Sequence, residues 1–139
     1  GFARRTSIGI DNQRLAMLLA VLERKAGINT ISQDVYVNVV GGLKADSTSV
    51  DLGVVLAVYS SVRNIRCGYR LIAFGEIGLT GELRSVSSAD KIIAEAVRMG
   101  YEKVIMPKKN ATKLGEKFKS CKIIGVNNIY EAIEAFKEQ

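Results

Sequence analysis

A chain of 139 residues, 47% hydrophobic and 24% charged, is long enough to bury one ordinary core. The absence of His excludes a His-ligated metal or a Ser-His-Asp triad; Cys67 and Cys121 belong to no metal-spaced cluster and are expected as free thiols in a reducing compartment. The net charge of +6 is uneven: the window from Arg98 to Lys122 holds eight basic and two acidic residues, which suits a polyanionic partner.

The opening stretch GFARRTSIG lacks the hydrophobic run of a signal peptide, and apolar stretches such as AMLLAVL fall well short of the ~20 residues that cross a bilayer, so a cytoplasmic protein is expected. In NQRLAMLLAVLERKAG the residues Leu15, Leu18, Leu19 and Leu22 recur at helical spacing. Asp11 is suited to cap that helix and Gly27 to stop it, with Arg24 and Lys25 near its negative end. DVYVNVV alternates as a strand does, and Gly41-Gly42 ends it. From Thr48 or Ser49 to about Val62 the chain predicts a very apolar helix, buried on most of its surface. YRLIAFGEIGLTGELRSV predicts two short strands around a Gly-punctuated turn. Ser87 or Ser88 is placed to cap ADKIIAEAVRMG, which Gly100 stops. KVIMP predicts a strand closed by Pro107, and Asn110 is placed to cap a short basic helix, ATKLGEKFK. KIIGV is the last strand, and Asn127 or Asn128 caps IYEAIEAFKEQ. Strands alternate with helices through the second half without a linker, so a single α/β or α+β domain over residues 1–139 is expected.

DSTSVDLG, residues 46–53, holds the one position with a question of chemistry. A serine hydroxyl is a poor nucleophile until a base takes its proton. Without His, the partner for Ser49 would have to be a Lys made neutral by burial. The plainer alternative is that Thr48 or Ser49 bonds a free N–H in the first helical turn.

DSTSVDLGVVLAVYSS resembles the D-G-P-S-A-G segment and following helix of Lon-type Ser-Lys proteases, GEIGLTGELRSV is similar to their G-E-I-T-L-R-G stretch, and EKVIMPKKN to their K-T-V-L-I-P-E-E-N stretch. The resemblance implies a Lon protease proteolytic-domain-like fold, with helices packed on mixed β-sheets. On it, Asp46 falls on the family's aspartate and Ser49 on its nucleophile, but the lysine position is Asp90. Lys91 comes one residue late, a rotation of roughly 100° on a helix, and is expected to point away from Ser49. Phe74 stands where the family has a threonine that helps hold the lysine, and Asp51 where it has a glycine. An Asp, with an unperturbed pKa near ~4, is a weak base for a hydroxyl and adds negative charge where an oxyanion would form. The resemblance therefore implies a degenerate site, with the architecture kept and the chemistry lost.

RRTSIGIDNQRLAMLLAVLERKAG, QDVYVNVVGGL and GEIGLTGELRSV together resemble the C-terminal domain of the bacterial RadA (Sms) family, over essentially the whole chain. RadA proteins are RecA-like ATPases of recombinational DNA repair whose Lon-like domain lacks the lysine. The resemblance implies a non-enzymatic module that supports DNA binding and assembly of a hexameric ring, with DNA and other copies of itself as partners and no membrane. No G-x-x-x-x-G-K-[ST] and no four-cysteine pattern is present, so no cofactor is expected in this module. ATP, magnesium and zinc would belong to the family's N-terminal zinc finger and ATPase domain.

Two basic groups are the DNA-binding candidates. Lys109, Lys113 and Lys117 recur every four residues opposite Leu114 and Phe118, with Lys108 and Lys119 beside them; Arg4, Arg5, Arg14, Arg24 and Lys25 form a second group, from which Arg14 could project off the first helix. No aromatic is interleaved with either, so contact would be with phosphates and indifferent to sequence. Two other readings stand beside this one. The domain could be a structural oligomerisation scaffold with solvated surface lysines, or, more remotely, a residual Ser-dependent peptidase.

Overall fold

The computed structural model describes residues 3–30, 32–38, 48–68 and 70–138. β1 (Arg5–Ile8) leads to α1 (Asn12–Ala26) and β2 (Val35–Asn38). A single 3-10 turn, Thr48–Val50, opens α2 (Asp51–Arg63), and β3 (Leu71–Ala73), β4 (Glu76–Ile77) and β5 (Leu83–Arg84) follow. The chain closes with α3 (Ala89–Arg98), β6 (Lys103–Pro107), α4 (Lys108–Leu114), β7 (Lys122–Val126) and α5 (Ile129–Lys137). The fold is mixed α/β, as the alternation of periods predicts. Asp46, Gly41 and Gly42 lie outside the described residues.

Among the described residues three small sheets result: parallel β1-β2, parallel β3-β6-β7 and the antiparallel hairpin β4-β5. The three-stranded sheet organises the molecule because its side chains alternate between two cores. Ile105, with Leu71, Ala73 and Ile124, faces the core built by α1, α2 and α5. Val104 and Met106, with Ile72, Phe74 and Ile123, face the core built by α3 and α4. Val104, Ile105 and Met106 are all fully buried, so β6 is a continuous hydrophobic run, as a strand covered on both faces must be.

Local signals set the helix ends. The Asp11 carboxylate accepts from Arg14 N at 3.0 Å, and Gly27 (φ 68°) closes α1 in the left-handed region where a side chain would be strained. Leu15, Leu18, Leu19 and Leu22 are all buried, so the helical stripe of the sequence is the packed face. At α5, Asn128 Oδ1 accepts from Glu131 N at 2.8 Å while the Glu131 carboxylate accepts from Asn127 N at 2.9 Å, a reciprocal cap. Phe136 then meets Tyr59 of α2 edge-on, centroids 6.1 Å apart.

Elsewhere the elements depart from expectation. The cap position of α2 is taken by Val50 without a side-chain hydrogen bond, not by Thr48 or Ser49, because the 3-10 turn carries those residues ahead of the helix. The expected basic helix from Ala111 to Lys119 instead starts directly after Pro107 and ends at Gly115 (φ 57°). Asn110 is not its cap. It is buried within the helix, its amide accepting from Val86 N and donating to Val86 O, both at 2.9 Å. The glycine-punctuated turn is the β4-β5 hairpin, and the preceding apolar stretch forms the separate strand β3. In that turn the exposed Glu82 carboxylate accepts from the Thr80 hydroxyl, from backbone N–H groups and from Arg84, which pulls its pKa down to about 2.

Candidate functional site: an apolar cavity and a basic flank

Ser49 lies on a cavity of about 1060 Å³. One wall is a face of α2 on which Gly53, Ala57 and Ser61 recur every four residues, a small-residue stripe that leaves room above it. At Gly53 a Cβ would meet Ala73 O at 3.4 Å, an ordinary contact distance, so α2 lies against β3 there without a forced close approach. The other walls are Val35, Tyr36 and Val37 of β2, Ile72 to Phe74 on and beyond β3, and Lys91, Ile92, Glu95, Ala96 and Met99 of α3. Thr30, Gln33, Asp34 and Tyr101 complete the rim. Such a space, mostly apolar with a few polar groups at its edge, is shaped for an apolar ligand or segment.

Two sequence expectations change here. Lys91, not Asp90, lines the cavity with Ser49. The phase of α3 is fixed by Ala89, Ile93 and Ala96 packing inward, and that rotation carries Lys91 to the cavity side while Asp90 stays exposed. Serine activation by lysine calls for a buried, desolvated amine, whereas Lys91 is exposed. Ser49 itself is half-buried, and its carbonyl accepts from Gly75 N at 2.8 Å, tying the 3-10 turn to the end of β3. Phe74 is buried in the α3–α4 core.

Asp51 has a structural occupation. It is fully buried, accepts from Arg14 Nε at 3.1 Å and from Arg14 Nη2, and takes Ile77 N at 3.0 Å; Arg14 Nη2 also donates to Ile77 O at 3.2 Å. One carboxylate and one guanidinium thus join α1, α2 and β4, and the bond to Asp51 pushes the Arg14 pKa further up. Arg14 therefore does not project from α1 as the sequence suggests. Arg5 is also drawn in, donating to the Thr30 carbonyl at 2.6 Å and to the Gln33 carbonyl. Arg4, Arg24 and Lys25 are exposed, and the Lys25 stem lies against Gly81.

The other basic group stays on the surface. Lys108, Lys109 and Lys113 are exposed on α4; Lys117 and Lys119 are exposed beyond Gly115, so the four-residue spacing does not continue as a helical stripe. Lys117 Nζ sits over the Phe118 ring, 5.6 Å from its centroid. Cys67 is exposed and Cys121 buried, both as free thiols. Among the described residues no group of His, Cys, Asp and Glu is placed to hold a metal ion, and no helix is long and apolar enough to cross a membrane.

A family model described as "Subunit ChlI of Mg-chelatase" matches residues 5–110, from β1 into α4. The chain belongs to the ChlI family. The matched span of this ChlI-family chain takes in Ser49, Asp51, Phe74 and the whole α3 wall of the cavity, and stops before Lys113. Among curated proteins, the chain is 44% identical over 135 residues to a protein of Pseudomonas aeruginosa named DNA repair protein RadA, covering 97% of this chain and 29% of the relative. It is 42% identical over 135 residues to the protein of that name in Escherichia coli, again 97% and 29%. The Haemophilus influenzae protein is 47% identical over 110 residues, 79% of this chain and 24% of the relative. The ChlI-family chain thus spans under a third of the length of these relatives.

Proposed function

We propose that this chain is a single Lon-like, non-proteolytic module of a RadA-type DNA repair protein in the cytoplasm. In this reading it contacts DNA phosphates through the α4 flank and takes part in assembly of a ring. The carrying observation is the likeness of 97% of the chain, at 42–44% identity, to proteins named for DNA repair. That likeness extends past the ChlI match and so takes in Lys113, Lys117 and Lys119. The exposed lysines of α4 and the following turn, with no base-reading pattern among them, support contact with the sugar-phosphate backbone. A Lon-like ancestry is supported by the segment from Ser49 through α2 and the GEIGLTGELR hairpin. Loss of peptidase chemistry is supported by the exposure of both Asp90 and Lys91. The module needs no cofactor of its own in this reading; ATP, magnesium and zinc would act elsewhere in the longer protein.

The test is binding of a random-sequence DNA duplex across a salt series. Replacing Lys109, Lys113 and Lys117 together by Gln should flatten the log K versus log salt slope by roughly 2–3 units, equally for unrelated duplexes. An unchanged slope with intact binding would move the DNA face away from α4. No binding at all would leave the scaffold reading, in which the chain only assembles. The same preparation should self-associate in sedimentation at high concentration, through a repeated head-to-tail contact, and should leave Ser49 unlabelled by a serine-reactive phosphonate.

A further inference from the structure

Lys103 and Lys122 open β6 and β7 and are register partners in the parallel ladder. Neighbouring strands lie about 4.8 Å apart, so the two stems rise side by side. Both lie on the face that carries Ile105 and Ile124, since alternate residues share a face. Like charges placed directly across a ladder destabilise it. Neither ammonium has a salt bridge or a hydrogen bond among the described residues.

The ordinary explanation would be that they complement the negative ends of helices. The helices that finish at this end of the sheet already carry cations in their last turns: Arg63 on α2, Arg98 on α3 and Lys137 on α5. Two of the carboxylates near this edge are paired, Glu95 with Arg98 and Glu134 with Lys137; Glu102 precedes Lys103 and so projects to the other face, and the exposed Glu116 and Glu138 form no salt bridge with either lysine among the described residues. The strand starts therefore hold an excess of positive charge, to which the exposed Lys119 adds.

We propose that Lys103 and Lys122 form a clamp for a single backbone phosphate of DNA, held between their ammonium groups at the N-terminal edge of the three-stranded sheet. The inference rests on the reading of the chain as a DNA-contacting module and adds to it a contact outside α4. A phosphate oxygen pair between the two ammonium groups removes their repulsion and supplies charge-assisted hydrogen bonds to both.

The experiment measures binding of a random-sequence duplex across salt by fluorescence anisotropy, for the unaltered chain, K103Q, K122Q and K103Q/K122Q, with melting temperatures at low salt. If one phosphate is shared, each single change should weaken binding and the double change should add little, flattening the slope by about one unit. The double variant should melt no lower than the unaltered chain, and higher at low salt, because a like-charge neighbour is gone. Normal binding and slope in all three variants would overturn the clamp while leaving DNA contact at α4 in place. Additive single effects summing to about two units would make the lysines independent contacts, which also overturns it. Absence of salt-dependent binding by the unaltered chain would overturn the DNA reading and the clamp together.

Discussion

Arg14 shows how one side chain can be misjudged from its helix alone. On a helical wheel it is one more cation near an exposed face. In the fold its guanidinium is the only positive group given to the buried Asp51 carboxylate by the salt bridges among the described residues. Removing it strands a buried charge, a change that typically costs 3–5 kcal/mol. Arg14 is itself 27% exposed, which places the expected loss for Arg14→Met at the lower end, about 3 kcal/mol. Chemical denaturation should also show R14M/D51N recovering part of that loss, because a neutral amide still accepts from Ile77 N. Equal stability of R14M and the unaltered chain would mean that the pair holds nothing together.

Lys91 teaches a related point. Against the Lon-type motif Lys91 stands one position late, and a rotation of one residue predicts that it turns away from Ser49. The helix phase is decided by Ala89, Ile93 and Ala96, the buried residues of α3. Once that phase is known, the cavity side follows. No feature local to residue 91 reveals it.

Among elements, those whose ends are fixed within one turn of their own sequence were legible: α1 between Asp11 and Gly27, and α5 behind Asn128. β6 and β7 were legible because short apolar runs, each behind a lysine and lying between helical patterns, leave little else. α4 was not, because the role of Asn110 depends on Val86, 24 residues earlier in the chain. β1 escaped for a comparable reason: RTSI is short and polar in all but Ile8, and its partner β2 starts 30 residues later. The α4 segment gives a direct check. Asn110→Ala deletes both bonds to Val86 and leaves its N–H and C=O without that partner, at an expected cost of about 2 kcal/mol. The melting midpoint should fall accordingly, while Lys109→Gln, exposed one residue away, should leave it nearly unchanged.

For the whole molecule, the basic flank and the cavity draw on different residues: none of the exposed lysines of α4 and the turn after it lines the cavity, which opens between β2, α2, β3 and α3. A phosphate contact on the basic flank and an apolar contact in the cavity can therefore be altered independently. Ile92→Ser, on the cavity wall, should leave the salt slope of DNA binding unchanged even where it alters self-association.

The β1-β2 ladder is joined to the three-stranded sheet by side-chain packing and, among the described residues, by no strand pairing. Hydrogen exchange should register that division. Amides of β6, flanked by strands on both sides and buried on both faces, are expected to exchange only when the whole domain unfolds. Those of the four-residue β1-β2 ladder are expected to exchange through a smaller opening, with a shallower denaturant dependence. The domain would then behave as two cooperative units sharing one apolar filling, and its N-terminal unit could come loose while the rest remains folded.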